Sequence, residues 1–228
     1  MQCLDLELRS GGRRLREAVG TAGALGPRAA ALAPALREAL SGRDGETVTP
    51  ALDADTALAE ALWGVAEDAA AVVAALDSVF VRAEQNSWSQ WSTVRAARTT
   101  ALLGPAGRPL ASRLQTLLDN LVQAPAAVLA LTAVAEPASL DRTALAAAVL
   151  RSAEQEADPT GACDALEALG LAALTADHLC RLSVLADGDA RIIRSGVEDR
   201  IIRQDEAFRN RVRALVTAFT AFTAPTAP

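Results

Sequence analysis

At 228 residues the chain can bury roughly 70% of the surface that its unfolded form exposes, enough for one large core or two small ones. A 51% hydrophobic and 22% charged composition fits a folded protein. The net charge of −6 argues against nonspecific binding to nucleic acid or an anionic membrane, both of which need a basic surface.

Every one of the 22 basic residues is Arg, and Lys and Tyr are absent. A GC-rich bacterial coding bias explains this simply, and it warns against reading each Arg as functional. Cys3, Cys163 and Cys180 are widely spaced with no C-x-x-C, so reduced thiols in a cytoplasmic protein are expected rather than a disulfide framework. No apolar run approaches the ~20 residues that span a bilayer. The opening MQCLDLELRSGGRR has acids where an export signal carries its apolar region, so no such signal is expected.

In chain order, Leu4, Leu8, Leu15 and Val19 predict a first helix over 3–19, short or broken at Gly11-Gly12, with Gly20, Gly23 and Gly26 loosening the chain after it. Pro27 suits the first position of a second helix, whose seam is Leu32, Leu36 and Leu40 and which Pro34 should kink. Ser41–Thr49 reads as a loop. Residues 53–85 then give the most regular pattern, with Leu58, Leu62, Val65, Val72, Leu76 and Val79 alternating four and three around Ala69. Ala59, Trp63, Ala66, Ala70 and Ala74 widen that stripe, which predicts one long helix that is central to a bundle or half of a subunit interface.

Asn86-Ser87 should cap the next helix, 88–103, which Gly104-Pro105 ends. Leu110, Leu114, Leu117, Leu118 and Leu121 predict a helix ending near Gln123, and Ala126–Val134 a short buried one. Ser139 is a candidate N-cap for a helix from Leu140 to about Glu154. Asp158-Pro159 should cap and start a helix that ends at Gly170, and Thr175 should cap the one carrying His178 and Cys180. The last long helix is expected near 190–222. Its stripe of Ile193, Val197, Ile201, Phe208, Val212, Leu215, Phe219 and Phe222 is interrupted by Arg194 and Gln204. Thr223–Pro228 should be a disordered tail. No segment alternates with period two, so the pattern predicts an all-α, compact bundle of about nine helices. It reads as a single domain over 1–222, with a possible subdomain division near 124–137.

Few residues offer chemistry. With one histidine, His178, a histidine-built metal site is excluded, and no metal or other cofactor is implied. Cys180, two residues on, points about 160° away on a helix and makes a poor catalytic couple with it. Asp199/Arg203 and Asp205/Arg209 read as intrahelical pairs. The sharpest signal is that Trp88, Trp91, Arg95, Arg98, Thr99 and Leu102 share one helical face. Two guanidinium groups one turn apart beside indoles can hold a carboxylate, sulfate or phosphate. Alternatively the Trp residues pack in the core and the Arg residues reach acids such as Glu84 or Asp119. Arg194 and Gln204 pose the same choice between a ligand and a structural partner.

Two functions are expected on these grounds. One is a helical subunit or interaction protein of a homo- or hetero-oligomer, built on over-wide apolar helix faces. The other is a metal-free enzyme or accessory subunit of small-molecule, specialised metabolism. It would bind an anionic substrate or leaving group in an Arg/Trp-lined pocket formed by Trp88, Trp91, Arg95, Arg98, Arg194 and Gln204.

Overall fold

The computed structural model describes residues 13–41, 45–189, 191–193 and 198–224. Among these the regular elements are all helical, which makes the fold the all-α class that the patterning predicts. No helix among the described residues is long and apolar enough to cross a membrane. The chain divides into two compact units, Met1–Leu114 and Gln115–Pro228. The stretch near 124–137, a possible division by sequence, lies inside the second.

The first unit contains α1 (Arg13–Leu25), α2 (Ala33–Ser41), α3 (Thr49–Ala66), α4 (Ala69–Ala83) and α5 (Gln90–Leu102). Its hub is α3, which packs against α1, α2, α4 and α5. The expectation of a first helix over 3–19 falls partly on residues outside those described. Helix α1 runs through Gly20 and Gly23 rather than loosening there, and the reason is packing. Gly23 faces Ala61 of α3, where even an added methyl group would meet it at an ordinary 3.8 Å contact, so the glycine sits in a packed helix face rather than a loosened one. Pro34 does not kink a helix either. A 3-10 stretch, Gly26–Leu32, precedes it, and Pro34 lies in the first turn of α2, where a missing N–H costs nothing.

The long helix predicted over 53–85 is two helices. Glu67 adopts a left-handed conformation (φ +48°), and its N–H closes α3 on the Trp63 carbonyl at 2.9 Å. Asp68 then caps α4, its Oδ1 accepting from the Ala71 N–H at 3.2 Å. The reversal folds one apolar stripe against itself. Leu58, Leu62, Val65, Val72, Leu76 and Val79 are all buried, so the wide face is consumed inside the unit. The flank is not uniform: Ala59 is fully buried, whereas Ala66, Ala70 and Ala74 are exposed.

The predicted helix from Leu110 to Gln123 is also broken. A 3-10 stretch (Gly104–Leu110), α6 (Ala111–Thr116) and a 3-10 turn (Leu117–Asp119) replace it. Asn120 stops it by accepting the backbone N–H groups of Val122 and Gln123 on its side-chain oxygen, a local alternative to helical bonding.

The second unit comprises α7 (Ala124–Val134), α8 (Arg142–Glu154), α9 (Pro159–Leu169), α10 (Ala176–Asp187) and α11 (Glu198–Thr223). Helix α9 packs on α7, α8 and α11, and α10 on α8 and α11. Asp158 caps α9 by accepting from Gly161 N–H, Gly170 ends it at φ +75°, and Thr175 caps α10, as their residue types require. Ser139 is not the cap of α8. It belongs to a 3-10 turn, and Asp141 caps instead, accepting from Ala144 N–H.

The final helix starts at Glu198 rather than near 190. Ile192 and Ile193 lie off the helix, and both their backbone N–H groups donate to Oδ1 of the buried Asp205, at 2.8 and 3.0 Å. Phe208, Val212, Leu215 and Phe219 face the core as expected, but Phe222 is 61% exposed. Thr223 still belongs to α11, and the tail expectation otherwise falls on residues outside those described, apart from Ala224.

Glu67→Gly should stabilise the protein by about 0.5–1 kcal/mol. It removes the left-handed penalty on a side chain while adding glycine's unfolded-state entropy. Urea unfolding should show a higher midpoint at unchanged slope.

Candidate functional site

The first unit forms a half-open cavity of about 280 Å³ between α2, α3 and α4. Helix α4 supplies one wall because Ala71, Ala75, Ser78 and Arg82 recur at spacings of four, three and four, which places them on one face. Leu40 of α2 adds an apolar contact, and Asp55 of α3 and Arg82 of α4 give it polar groups. Asp55 and Arg82 are 3% and 8% exposed, and Arg82 Nη2 donates to Asp55 Oδ2 at 2.6 Å. Arg82 also donates through Nη1 to the Glu46 carbonyl at 2.9 Å and through Nε to the Ser78 carbonyl at 3.3 Å.

Arg37, also on the lining, is held by one edge. Its Nε donates to Asp68 Oδ2 at 2.6 Å, and its side chain is 47% exposed. Asp68 is the same carboxylate that caps α4. The bond from Arg37, with the Ala71 N–H, holds its carboxyl below the usual range.

The Trp/Arg residues singled out in the sequence do share a face, but it is an open one. Trp88, in the 3-10 turn Ser87–Ser89 ahead of α5, is 85% exposed, Trp91 is 52% and Leu102 is 58%. Arg95 and Arg98 are exposed between them. The core-packing alternative for the two Trp residues therefore does not hold. Arg95 does reach an acid, Asp53 Oδ2 of α3 at 2.8 Å, not Glu84, which pairs with Arg113 at 3.3 Å. Thr99, at the edge of the face, is buried and donates to Glu60 Oε2 at 3.4 Å. Helix α5 is further tied to α3 by Ser92 Oγ donating to Asp53 Oδ1 at 2.8 Å and Trp63 Nε1 donating to the Leu102 carbonyl at 3.1 Å.

In the second unit Gln204 is half-buried on α11, and Arg194 lies outside the described residues. Gln204 belongs to the second unit and the Trp/Arg face to the first. The polar intrusion that α11 does bury is Asp205, whose Oδ2 accepts from Arg209 Nε at 2.8 Å. That pair is an i, i+4 pair as predicted but nearly buried, whereas Asp199 and Arg203 are both exposed. Hydrogen bonds from Arg209, Ile193 and Ile192 hold Asp205 below the usual carboxylate range against the opposing effect of burial.

Of the described cysteines, Cys163 is poorly placed to act as a nucleophile. Burial pushes Cys163 up to about 12, and Cys180 is an exposed free cysteine. His178 is buried, and its Nδ1 accepts from the Thr175 N–H in a capping box. Burial, assisted by Arg181, holds it below its ordinary 6.5. Among the described residues no three of His, Cys, Asp and Glu gather as a metal site.

Asp55 and Arg82 escaped sequence reasoning, although a signal existed. Asp55 precedes Leu58 by three and Arg82 follows Val79 by three, so each continues a core seam with a charge. Such a residue is buried only if something pairs with it.

Asp55→Leu or Arg82→Met alone should cost about 3–5 kcal/mol by leaving a buried charge unpaired, whereas the double variant should recover most of that loss. Denaturant unfolding of the three variants gives the cycle. A second expectation concerns pH. Because folded His178 resists protonation more than unfolded His178 does, its contribution is complete above pH 6.5 and declines as pH falls through the lowered folded pKa. His178→Gln keeps a capping-box residue type and should shrink the stability difference between pH 7.5 and pH 5.

Compared with protein-family models, with curated proteins and with solved structures, the chain matches none.

Proposed function

We propose that this protein is a helical interaction subunit that pairs with a second copy of itself through the outer face of α5. The observation that carries the proposal is the exposure of Trp88, Trp91 and Leu102, at 85%, 52% and 58%, along one stripe with Arg95 and Arg98. Trp and Arg dominate the energetics of protein interfaces, and apolar side chains grouped on a surface favour association. The wide stripe over 53–85 no longer argues for association, because α3 and α4 bury it against each other and their neighbours.

Self-pairing is favoured over a foreign partner by the order of residues along the stripe. Trp88 and Leu102 stand seven residues either side of Arg95, and Trp91 and Arg98 stand four before and three after it. A two-fold axis through Arg95 would lay Trp88 on Leu102 of the second copy and Trp91 under Arg98 of the second copy, a cation–π contact. The two Arg95 groups would meet, but each is already paired with Asp53 of its own chain. A reducing, cytoplasmic setting fits the free Cys163 and Cys180. The alternative, an anionic substrate held by the Trp and Arg side chains, draws less support because an open face gives a small molecule no walls.

The stripe is about 21 Å long. A single helix face falls short of the roughly 800 Å² per partner of a standard stable interface, so the dimer should form at high concentration and dissociate on dilution. Light scattering across a dilution series should show this for the parent chain. Trp88→Ala with Trp91→Ala should stay monomeric throughout with an unchanged thermal melt. A parent chain that is monomeric at every concentration, or a double variant that dimerises like the parent, overturns the proposal.

A further inference from the structure

The cavity of the first unit is a separate feature, and the α5 face plays no part in it. Its lining is graded. At Arg37 it carries a cation, along Leu40, Ala71 and Ala75 it is apolar, and Asp55, Ser78 and Arg82 are its polar groups. We propose that this cavity binds a short-chain carboxylic acid, with the carboxylate on the Arg37 guanidinium and the alkyl body against Leu40 and the alanine face of α4.

Three observations support that assignment. First, Arg37 is positioned before any ligand arrives. Its Nε is held at 2.6 Å by Asp68, which is itself fixed by capping α4. Among the described residues no hydrogen bond or ion pair engages its two Nη groups, so the other edge of the fork is available to a carboxylate. Second, Arg82 is not in the same position. It is buried and committed to Asp55, Glu46 and Ser78, so the charge deep in the site is already balanced and a second anionic group there would meet Asp55. The ligand therefore has one charged end. Third, the α4 wall is built from side chains no larger than Ala and Ser between the capping turn and Arg82, which leaves the space open where a larger residue would close it. At about 280 Å³ the cavity is at or below the lower limit for drug-sized molecules, which restricts the ligand to a small one.

The probe is hexanoate, added to the full chain labelled with ¹⁵N, with hexanamide as its uncharged counterpart. Hexanoate should give saturable amide shifts on α2 and α4, hexanamide should bind at least about tenfold more weakly, and Arg37→Gln should lose at least about tenfold in affinity. Arg37→Lys keeps the charge without the fork and should retain part of the binding. Ala75→Leu, which fills the cavity from its wall, should abolish it. Trp88→Ala with Trp91→Ala should leave hexanoate binding unchanged, so the fate of the dimer and that of the cavity are read separately. Thermal melts of Arg37→Gln and Ala75→Leu within a few degrees of the parent show that the fold survives. Absent or non-saturating shifts, equal affinity for hexanamide, or binding untouched by Arg37→Gln and Ala75→Leu overturns the assignment.

Discussion

The arrangement of the first unit hangs on how Asp68 divides its two oxygens. Oδ1 accepts the Ala71 N–H and so starts α4 at the point where Glu67 has turned the chain left-handed. Oδ2 holds the Arg37 guanidinium and so ties the start of α4 to α2. Without the first bond the chain has little reason to break between Ala66 and Ala69, where alanine would otherwise continue the helix. With it, a stripe too wide for one helix becomes two faces that bury each other. The cavity is a by-product of the same reversal: α4 returns alongside α3 with an alanine face that cannot fill the space it is brought to.

Asp205 repeats the device in the second unit by different geometry. One oxygen accepts two successive backbone N–H groups from 192 and 193, and the other takes Arg209. Arg209 in turn reaches the carbonyls of Ala186 and Gly188 at the end of α10. Arg213 joins it there, donating to the Ala186 carbonyl at 2.9 Å. The negative end of the α10 dipole thus meets two guanidinium groups, the sign that a helix C-terminus favours. A chain without lysine uses the planar donor fork of arginine for tasks that a point charge could not perform in pairs.

Legible in the sequence was whatever depended on local chemistry. The caps at Asp158 and Thr175, the glycine at 170 and the buried segment 126–134 follow from residue type and short-range pattern, and the structure has them. The reversal at 67–68 was hidden because the apolar spacing passes through it with its phase nearly intact. An acid pair such as Glu67-Asp68 on a helix surface looks the same whether or not it caps. The Trp/Arg face was legible as a face but not as an outside one, since periodicity reports which residues lie together and not whether a neighbour covers them. The cavity was invisible for a related reason. It exists between three helices, and its charged pair is separated by 27 residues.

Three of the ties between α3 and α5 share one offset. Asp53 with Ser92, Glu60 with Thr99 and Trp63 with Leu102 are each 39 residues apart. A constant offset means that the two helices run in the same direction in fixed register, with α4 returning between them. Their rotational phases are therefore locked together. Because each residue turns a helix by about 100°, the connection from 84 to 89 behaves as a gauge of fixed length. Gaining or losing one residue there would turn the indoles away from their present outlook, or break all three ties at once. Loops are usually where a fold tolerates insertion. Here the length of one short connection decides which side of a helix the rest of the world meets.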